Sequence, residues 1–428
     1  MRIFIGLCEI AGYYSNLTSG LRELGYEVTF IGANEHPFEY SKEDCPYFIS
    51  LHNFARKQRV TTPRKKLVRK AFWALCEKLT FFFLFFWCLA RHDVFIFGYG
   101  FTFNQRALDL ILFKLFKKRV ICNLAHGSEA RPPYLDGGYI NYCSEKHSQI
   151  ARKTKNIALK LARIEKYADV VIAAPLASHF FSQPFISTYK IGVPVTISKV
   201  ANTFDTSPER KKTVRILHAP SNPVCKGSNI IRSAIEELRH EGYEINYVEI
   251  SGRPHSEVLE ELDQCDFIID QLYSDGPLAG FTTEAAWFKK PAIVGGYGWD
   301  IVEQYFPPEH LPLSHTCHPN DLKSSVIRMI RDDAYREELG EKAYRFVQKN
   351  WNTQKVARRF EILIKNEPIP TNWYIEPQNI YYLHGCGIKE SKLQAVLSRF
   401  INSQGSDALQ LEARPKLKEK ILRFVKGV

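Results

Sequence analysis

The feature that most limits the fold is a recurring short apolar run, each followed by a turn and then by a helical stretch. In the first half these runs are RIFIGL, EVTFIG, DVFIFGYG, RVICNLAHG and ADVVIAA. They are rich in β-branched and aromatic residues, and they are apolar at successive positions rather than at alternate ones. A strand with that pattern is covered on both faces, which predicts a parallel sheet with helices above and below it. The series restarts at VRILHAP, passes through a helix over about 227–240, and continues as INYVEI, CDFIID and AIVGG. Between the two series, residues 200–213 (VANTFDTSPERKKT) are polar, contain Pro208 and carry a charge cluster, which marks a linker.

The organisation expected is therefore α/β, with two Rossmann-like halves joined near residue 205. The first covers residues 1–205 and the second 206–366. Helical patterns fill residues 333–366. A tail, 367–428, follows Pro368 and Pro370; it holds helices but too little mass for a core of its own. Sheets of this kind bind ligands at the carboxyl ends of their strands, so two facing sheets would enclose a central cleft.

A chain of 428 residues with 45% apolar and 24% charged residues has enough apolar mass for two cores. Its net charge of +12 is concentrated. Arg56, Lys57, Arg59, Arg64, Lys65, Lys66, Arg69 and Lys70 stand together without an acid. The end of the chain adds Arg414, Lys416, Lys418, Lys420, Arg423 and Lys426 against Glu412 and Glu419. Such localised charge marks a surface that meets an anionic partner, lipid or nucleic acid. Nucleic acid is the less favoured partner, because these stretches lack interleaved aromatic residues for base stacking. The first of them instead adjoins LTFFFLFFWCLA, residues 79–90, a run too short to span a bilayer alone.

Helical spacing over 67–90 puts Leu67, Ala71, Leu75, Leu79, Phe82 and Phe86 on one face. Leu417, Ile421, Phe424 and Val428 do the same in the last helix. An apolar face among cations is the signature of a helix lying on an anionic membrane. The first segment has a second reading, as core of the first half. The ten cysteines form no CxxC pair, and MRIFIGLCEIAGYYS reads as a strand running into a turn. We expect reduced, mostly buried thiols in a cytoplasmic protein, peripheral to the membrane at most.

Several residues at strand-to-helix turns are chemically suggestive. ILHAPSNPVCKGSN runs strand, loop, helix, with Lys226 and Gly227 at the start of the helix. A lysine beside a helix N-terminus, with glycine allowing close approach, suits a phosphate; the alternative is a surface lysine. GFTTEAAWFKKPAIVGG places Glu284 at another such turn, ahead of a short apolar helix. A carboxylate there can favour the helix dipole, or it can hold both hydroxyls of a ribose. His126 ends a strand in AHGSEAR, and the loop after it carries Glu129, Arg131 and Asp136. Gly12 lies in the first strand-to-helix turn, either to admit a ligand or to satisfy the turn itself. In the tail, His384 and Cys386 are too few for a metal site, and a turn is the better reading.

On these residues the chain resembles the retaining glycosyltransferases of family 4, which have the two-domain GT-B fold. Lys226-Gly227 is similar to the family's Lys-Gly pair, which holds the donor diphosphate. The segment around Glu284 resembles the family's EAMA-x-G-x-PVV run, whose glutamate binds the donor ribose. His126 stands where many members have a histidine near the transferred sugar, and EKYADVVIAA and IGVPV match similar runs. The resemblance spans about residues 1–366, most specifically in the second half. It implies transfer of a sugar from a nucleotide-sugar donor with retention. The basic segment before the apolar run points to a lipid-linked or cell-surface glycan as acceptor, and no metal or cofactor is expected, because a lysine and a helix end can neutralise the leaving diphosphate. The resemblance also implies that Gly280 and Phe281 give backbone N–H groups to the donor. Two positions depart from the family pattern. Ser221 stands where an arginine is usual, and Gly276 where a second glutamate is frequent, with Asp275 beside it. Losing the arginine removes a charge-assisted contact of about 1.5–3 kcal/mol. Two other readings follow from these departures and from the charge: a non-catalytic GT-B partner subunit, and a glycosyltransferase acting on DNA.

Overall fold

The protein is described by a computed structural model covering residues 1–32, 47–63, 65–127, 129–142, 146–195, 213–306, 308–385, 388 and 390–427. The linker expected over 200–213 lies outside the described residues apart from Thr213, as do Arg64, Cys386 and Val428.

The first sheet contains β1 (Arg2–Leu7), β2 (Glu27–Gly32), β3 (Val94–Gly98), β4 (Arg119–Leu124), β5 (Val170–Ala173) and β6 (Phe185–Ser187). The second contains β7 (Val214–His218), β8 (Ile245–Glu249), β9 (Phe267–Gln271), β10 (Ala292–Gly295) and β11 (His315–Cys317). A last short strand, β12 (Tyr374–Ile375), returns from the tail and pairs antiparallel with β6. The orders are β12-β6-β5-β4-β3-β1-β2 and β11-β10-β9-β7-β8, and all other pairings are parallel. Strand order reverses at β1 in one sheet and at β7 in the other. Those reversals are the switch points where adjacent loops part and a crevice opens.

Apolar residues at successive strand positions divide between the two faces. In β1, Ile3 and Ile5 enter one core layer with Leu17 and Leu21 of the helix Tyr13–Glu23. Phe4 enters the other, with Phe95 and Phe97 of β3. All these side chains are fully buried or nearly so, which is why the runs contain so few polar residues. The second sheet is covered in the same way, with Ile216 and Ile269 on one face and Leu217 and Ile268 on the other.

Packing adds to the division drawn from the sequence at two places. The helix Thr353–Lys365 falls within the range assigned to the second half, yet Val356, Ala357, Phe360 and Leu363 complete the core beneath β1. The tail, expected to have too little mass for a core of its own, packs into that of the first half. Its Leu393, Leu397, Phe400, Leu409, Leu417 and Ile421 join the large core of the first half. Arg414, only 1% exposed, donates to the carbonyls of Ser178, His179, Phe181 and Ile380 and fastens the tail there. This overturns the expectation that the last helix lies on a membrane. Its apolar face, Leu417 and Ile421 with Phe424 beside them, is turned into the protein.

Candidate functional site

Both switch points open onto one cleft of about 440 Å³ between the halves. One wall carries Ile10, Ala11 and Tyr13 after β1, His126 after β4 and Tyr189 after β6. The other carries Ser221 and Lys226 after β7, Arg253 and His255 after β8, Tyr273 and Asp275 after β9, then Gly280, Phe281 and Glu284. The carboxyl ends of β1, β4 and β6 in one sheet and of β7, β8 and β9 in the other therefore contribute, where doubly wound sheets bind ligands.

Lys226 closes a one-turn helix, Pro223–Lys226, which Asn222 caps by accepting from the N–H groups of Val224 and Cys225. Its Nζ lies 2.8 Å from Oδ1 of Asp270, at the end of β9. Asp270 is fully buried, and its other oxygen accepts from Thr282 Oγ1 at 2.8 Å. Thr282 belongs to the helix Gly280–Trp287, which also carries Glu284. One buried acid thus ties the lysine's loop to the helix of the glutamate. An ammonium has three donors, so Lys226 retains some for a ligand in the cleft.

Gly227 acts differently from the sequence expectation. It is buried and does not line the cleft, and its N–H turns back to Val224 O at 3.2 Å. Its φ of +77° and a Cβ position 2.8 Å from Leu272 Cβ explain the glycine: it lets the loop turn and pack on β9.

Glu284 sits in the second turn of its helix rather than ahead of it, so its place owes little to the helix dipole. Its Oε1 is 2.8 Å from His255 Nε2. Gly280 and Phe281 form the first turn and face the cleft, where the leading N–H groups of an α-helix have no intrahelical acceptor. That end is suited to a negative group.

On the opposite wall, His126 Nε2 is 2.6 Å from Tyr14 Oη. Burial raises the Tyr14 phenol well above its ordinary value, so it keeps its proton and donates. Burial also pushes His126 down to about 3, leaving a neutral imidazole whose Nδ1–H is the free donor. Gly98 is required here, because a Cβ on it would lie 2.1 Å from the Tyr14 hydroxyl.

The remaining sequence candidates separate. Arg131 and Asp275, on opposite walls, form an ion pair across the cleft. Burial raises the Asp275 carboxyl, and the Arg131 guanidinium opposes that rise. Tyr189 Oη donates to the Asp275 carbonyl at 2.8 Å. Glu129 does not line the cleft; it accepts from the His126 backbone N–H at 2.8 Å and supports that turn. Asp136 is also outside the cleft, accepting from Tyr139 N at 3.1 Å to start a short helix. Gly12, φ +74°, precedes the first helix, and its neighbours Ile10 and Ala11, rather than Gly12, reach the cleft. Among the described residues no group of three or more His, Cys, Asp and Glu is placed to hold a metal ion, and the described cysteines are free.

Sequence reasoning missed His255, Arg253, Tyr14 and Asp270. For the first two a signal existed: SGRPHSE is a basic glycine-proline turn directly after the strand INYVEI. For Asp270 it was an acid at the inner end of an otherwise apolar strand.

No protein-family model and no curated relative matches the sequence. Solved structures do match the fold. Anabaena Alr3699/HepE in complex with UDP-glucose is 10% identical, with 85% of this chain and 99% of that chain covered and a TM-score of 0.50. The catalytic domain of Starch Synthase IV from Arabidopsis thaliana, bound to ADP and acarbose, is 13% identical, with 85% and 98% covered and a TM-score of 0.50. Two parallel sheets facing across a cleft, matched over nearly the whole of these chains, give this protein the GT-B fold.

Proposed function

We propose that the protein is a retaining glycosyltransferase of the family 4 kind, moving a sugar from a nucleotide-sugar donor to a lipid-linked or cell-surface glycan. One observation carries the reading: Lys226 and Glu284 share a cleft wall through Asp270 and Thr282, and His126 faces them from the other wall. The solved structures of this fold hold UDP-glucose, and ADP with acarbose.

In this reading Glu284 accepts from the ribose hydroxyls, and His255 fixes its carboxylate. Lys226 takes the diphosphate, aided by the N–H groups of Gly280 and Phe281. Arg253 supplies the cation that Ser221 does not, since the two loops leave adjacent strands β7 and β8 at one sheet edge. With these donors aimed at the leaving group, we assign no metal to the step. The bond from the anomeric carbon to the phosphate oxygen breaks, and a bond to the acceptor oxygen forms on the same face. The acceptor's proton passes to the departing diphosphate. His126 Nδ1–H donates to a hydroxyl of the transferred sugar.

The test is a panel of nucleoside diphosphates titrated by calorimetry, followed by turnover of the matching sugar nucleotides with the product anomer read by NMR. Tight binding of one diphosphate and a product that keeps the donor's anomeric configuration are expected. Failure of every diphosphate to bind would overturn the proposal, and an inverted product would overturn retention.

A further inference from the structure

The helix Leu67–Arg91 is long and apolar enough by length and composition to cross a bilayer, a property the sequence reading denied to its twelve-residue apolar stretch. Its packing argues for another arrangement. Towards its C-terminal end, Leu84, Phe85, Cys88 and Leu89 are buried in the first core, where Phe85 meets Phe113 at 5.6 Å. The chain then runs straight into β3. Spanning would draw these side chains, and the strand after them, out of the core.

Among the described residues the opposite face has no such cover. Phe72, Leu75, Phe82 and Phe83 are each more than half exposed, and Leu67 and Val68 more so. The preceding helix, Tyr47–Thr61, packs against this one. Phe54 meets Trp73 at 5.6 Å, and Arg59 pairs with Glu77. It adds exposed Phe54 and Val60 to the same hairpin. At about 1.5 Å per residue the longer helix extends roughly 37 Å, so the apolar row is a long ridge rather than a scatter of single residues. Around the hairpin tip stand the exposed cations Lys57, Lys65, Lys66 and Arg69, with Lys78 further along. Among the described residues of the two helices the acid is Glu77, and it is already paired with Arg59.

We infer that this hairpin is a docking surface for an anionic lipid bilayer, with the phenylalanine and leucine row entering the headgroup boundary and the cations meeting lipid phosphates. The occupant follows from charge complementarity. An apolar ridge alone would equally suit a second copy of the chain, but two copies would bring together the same cations, which have no acid partner among the described residues. Cations beside an apolar ridge match a surface that is negative outside and hydrocarbon within. This inference is independent of what the cleft binds.

The test is co-sedimentation of the full chain with phosphatidylglycerol–phosphatidylcholine vesicles and with pure phosphatidylcholine vesicles. We expect binding to the anionic vesicles, weakened severalfold when salt rises from about 0.1 to about 0.5 M. The variant Phe72→Ser, Leu75→Ser, Phe82→Ser is expected to lose about tenfold or more in binding. These side chains are exposed, so circular dichroism should be unchanged. Lys65→Gln, Lys66→Gln, Arg69→Gln should reduce the preference for anionic vesicles. Quenching of tryptophan emission in the unmodified chain by brominated acyl chains gives a second readout that needs no variant. Equal sedimentation of parent and serine variant, absence of binding to either vesicle, or no quenching would overturn the inference. So would a dimer that the serine substitutions dissolve, which would assign the face to a second copy.

Discussion

The Nε2 atom of His255 lies 2.8 Å from Oε1 of Glu284, so the carboxylate assigned to the ribose is oriented by the first residue of a different helix, His255–Gln264. One oxygen is engaged by the imidazole, which fixes the direction of the other. Removing that contact should cost about 1–3 kcal/mol where the group is desolvated. His255→Ala is therefore expected to weaken a nucleoside and its diphosphate alike, by about 5- to 100-fold. His255→Gln, which keeps a donor, should recover most of the loss. Calorimetry on the two ligands checks this, and a loss confined to the diphosphate would contradict it.

His126 is predicted to act on turnover rather than on nucleotide binding. His126→Ala should lower the maximal rate by about tenfold or more while nucleotide affinity changes only a few-fold. Tyr14→Phe should have a smaller effect of the same kind, because it removes the hydrogen bond that sets the tautomer. Burial holds His126 down to about 3, so no limb of the rate–pH profile between about pH 5 and 8 should disappear in the variant. Turnover at the parent rate would make His126 structural.

The nine strand runs quoted from the sequence all lie on strands of the two sheets, because burial on both faces forces continuous apolar side chains. What escaped is what sequence proximity does not encode. Helix Thr353–Lys365 has a clear apolar face, but nothing local says that it covers β1 rather than the sheet it follows. Leu417 and Ile421 have the spacing of a membrane-surface helix, and only their three-dimensional neighbours show them buried. Arg414 reads as one more surface cation, yet it is held by four carbonyls. In the cleft, Lys226 and Glu284 stood out because the sequence reads each as lying in a strand-to-helix turn, although Glu284 falls in the second turn of its helix. His255 is a lone histidine opening the helix His255–Gln264, and its role appears only when Glu284 is brought against it.

Arg131 and Asp275 reach across the cleft to each other, so removing one partner strands the other. Arg131→Leu is expected to destabilise the protein by about 3–5 kcal/mol. The double variant Arg131→Leu, Asp275→Leu should recover part of that loss. Urea unfolding of the single and double variants measures the difference. A double variant less stable than Arg131→Leu would show that the pair is not what links these groups.

His179 offers a pH test of the tail's docking. It is 2% exposed, with Nε2 2.8 Å from the Tyr382 carbonyl, and burial pushes it down to about 3. In an unfolded chain a histidine titrates near 6.5. Below that value the unfolded chain binds the extra proton. The stability that a neutral His179 permits is present above about pH 6.5 and is lost as pH falls towards about 3. The slope reaches about 1.4 kcal/mol per pH unit for such a group. His179→Gln keeps a donor for Tyr382 and does not titrate. The stability difference between parent and variant should therefore shift against the parent on acidification from pH 7 to 4. A difference independent of pH would contradict this account.

The central claim is that Lys226 and Glu284 form one nucleotide site with separate tasks. The most direct measurement is calorimetry of a nucleoside and its diphosphate, chosen as the tightest pair from the panel, against the parent, Lys226→Ala and Glu284→Ala. A charge-assisted hydrogen bond contributes about 1.5–3 kcal/mol, or about 10- to 100-fold in affinity. Lys226→Ala should lose that much for the diphosphate and little for the nucleoside, and Glu284→Ala should lose it for both. Unchanged affinities in both variants would contradict the assignment.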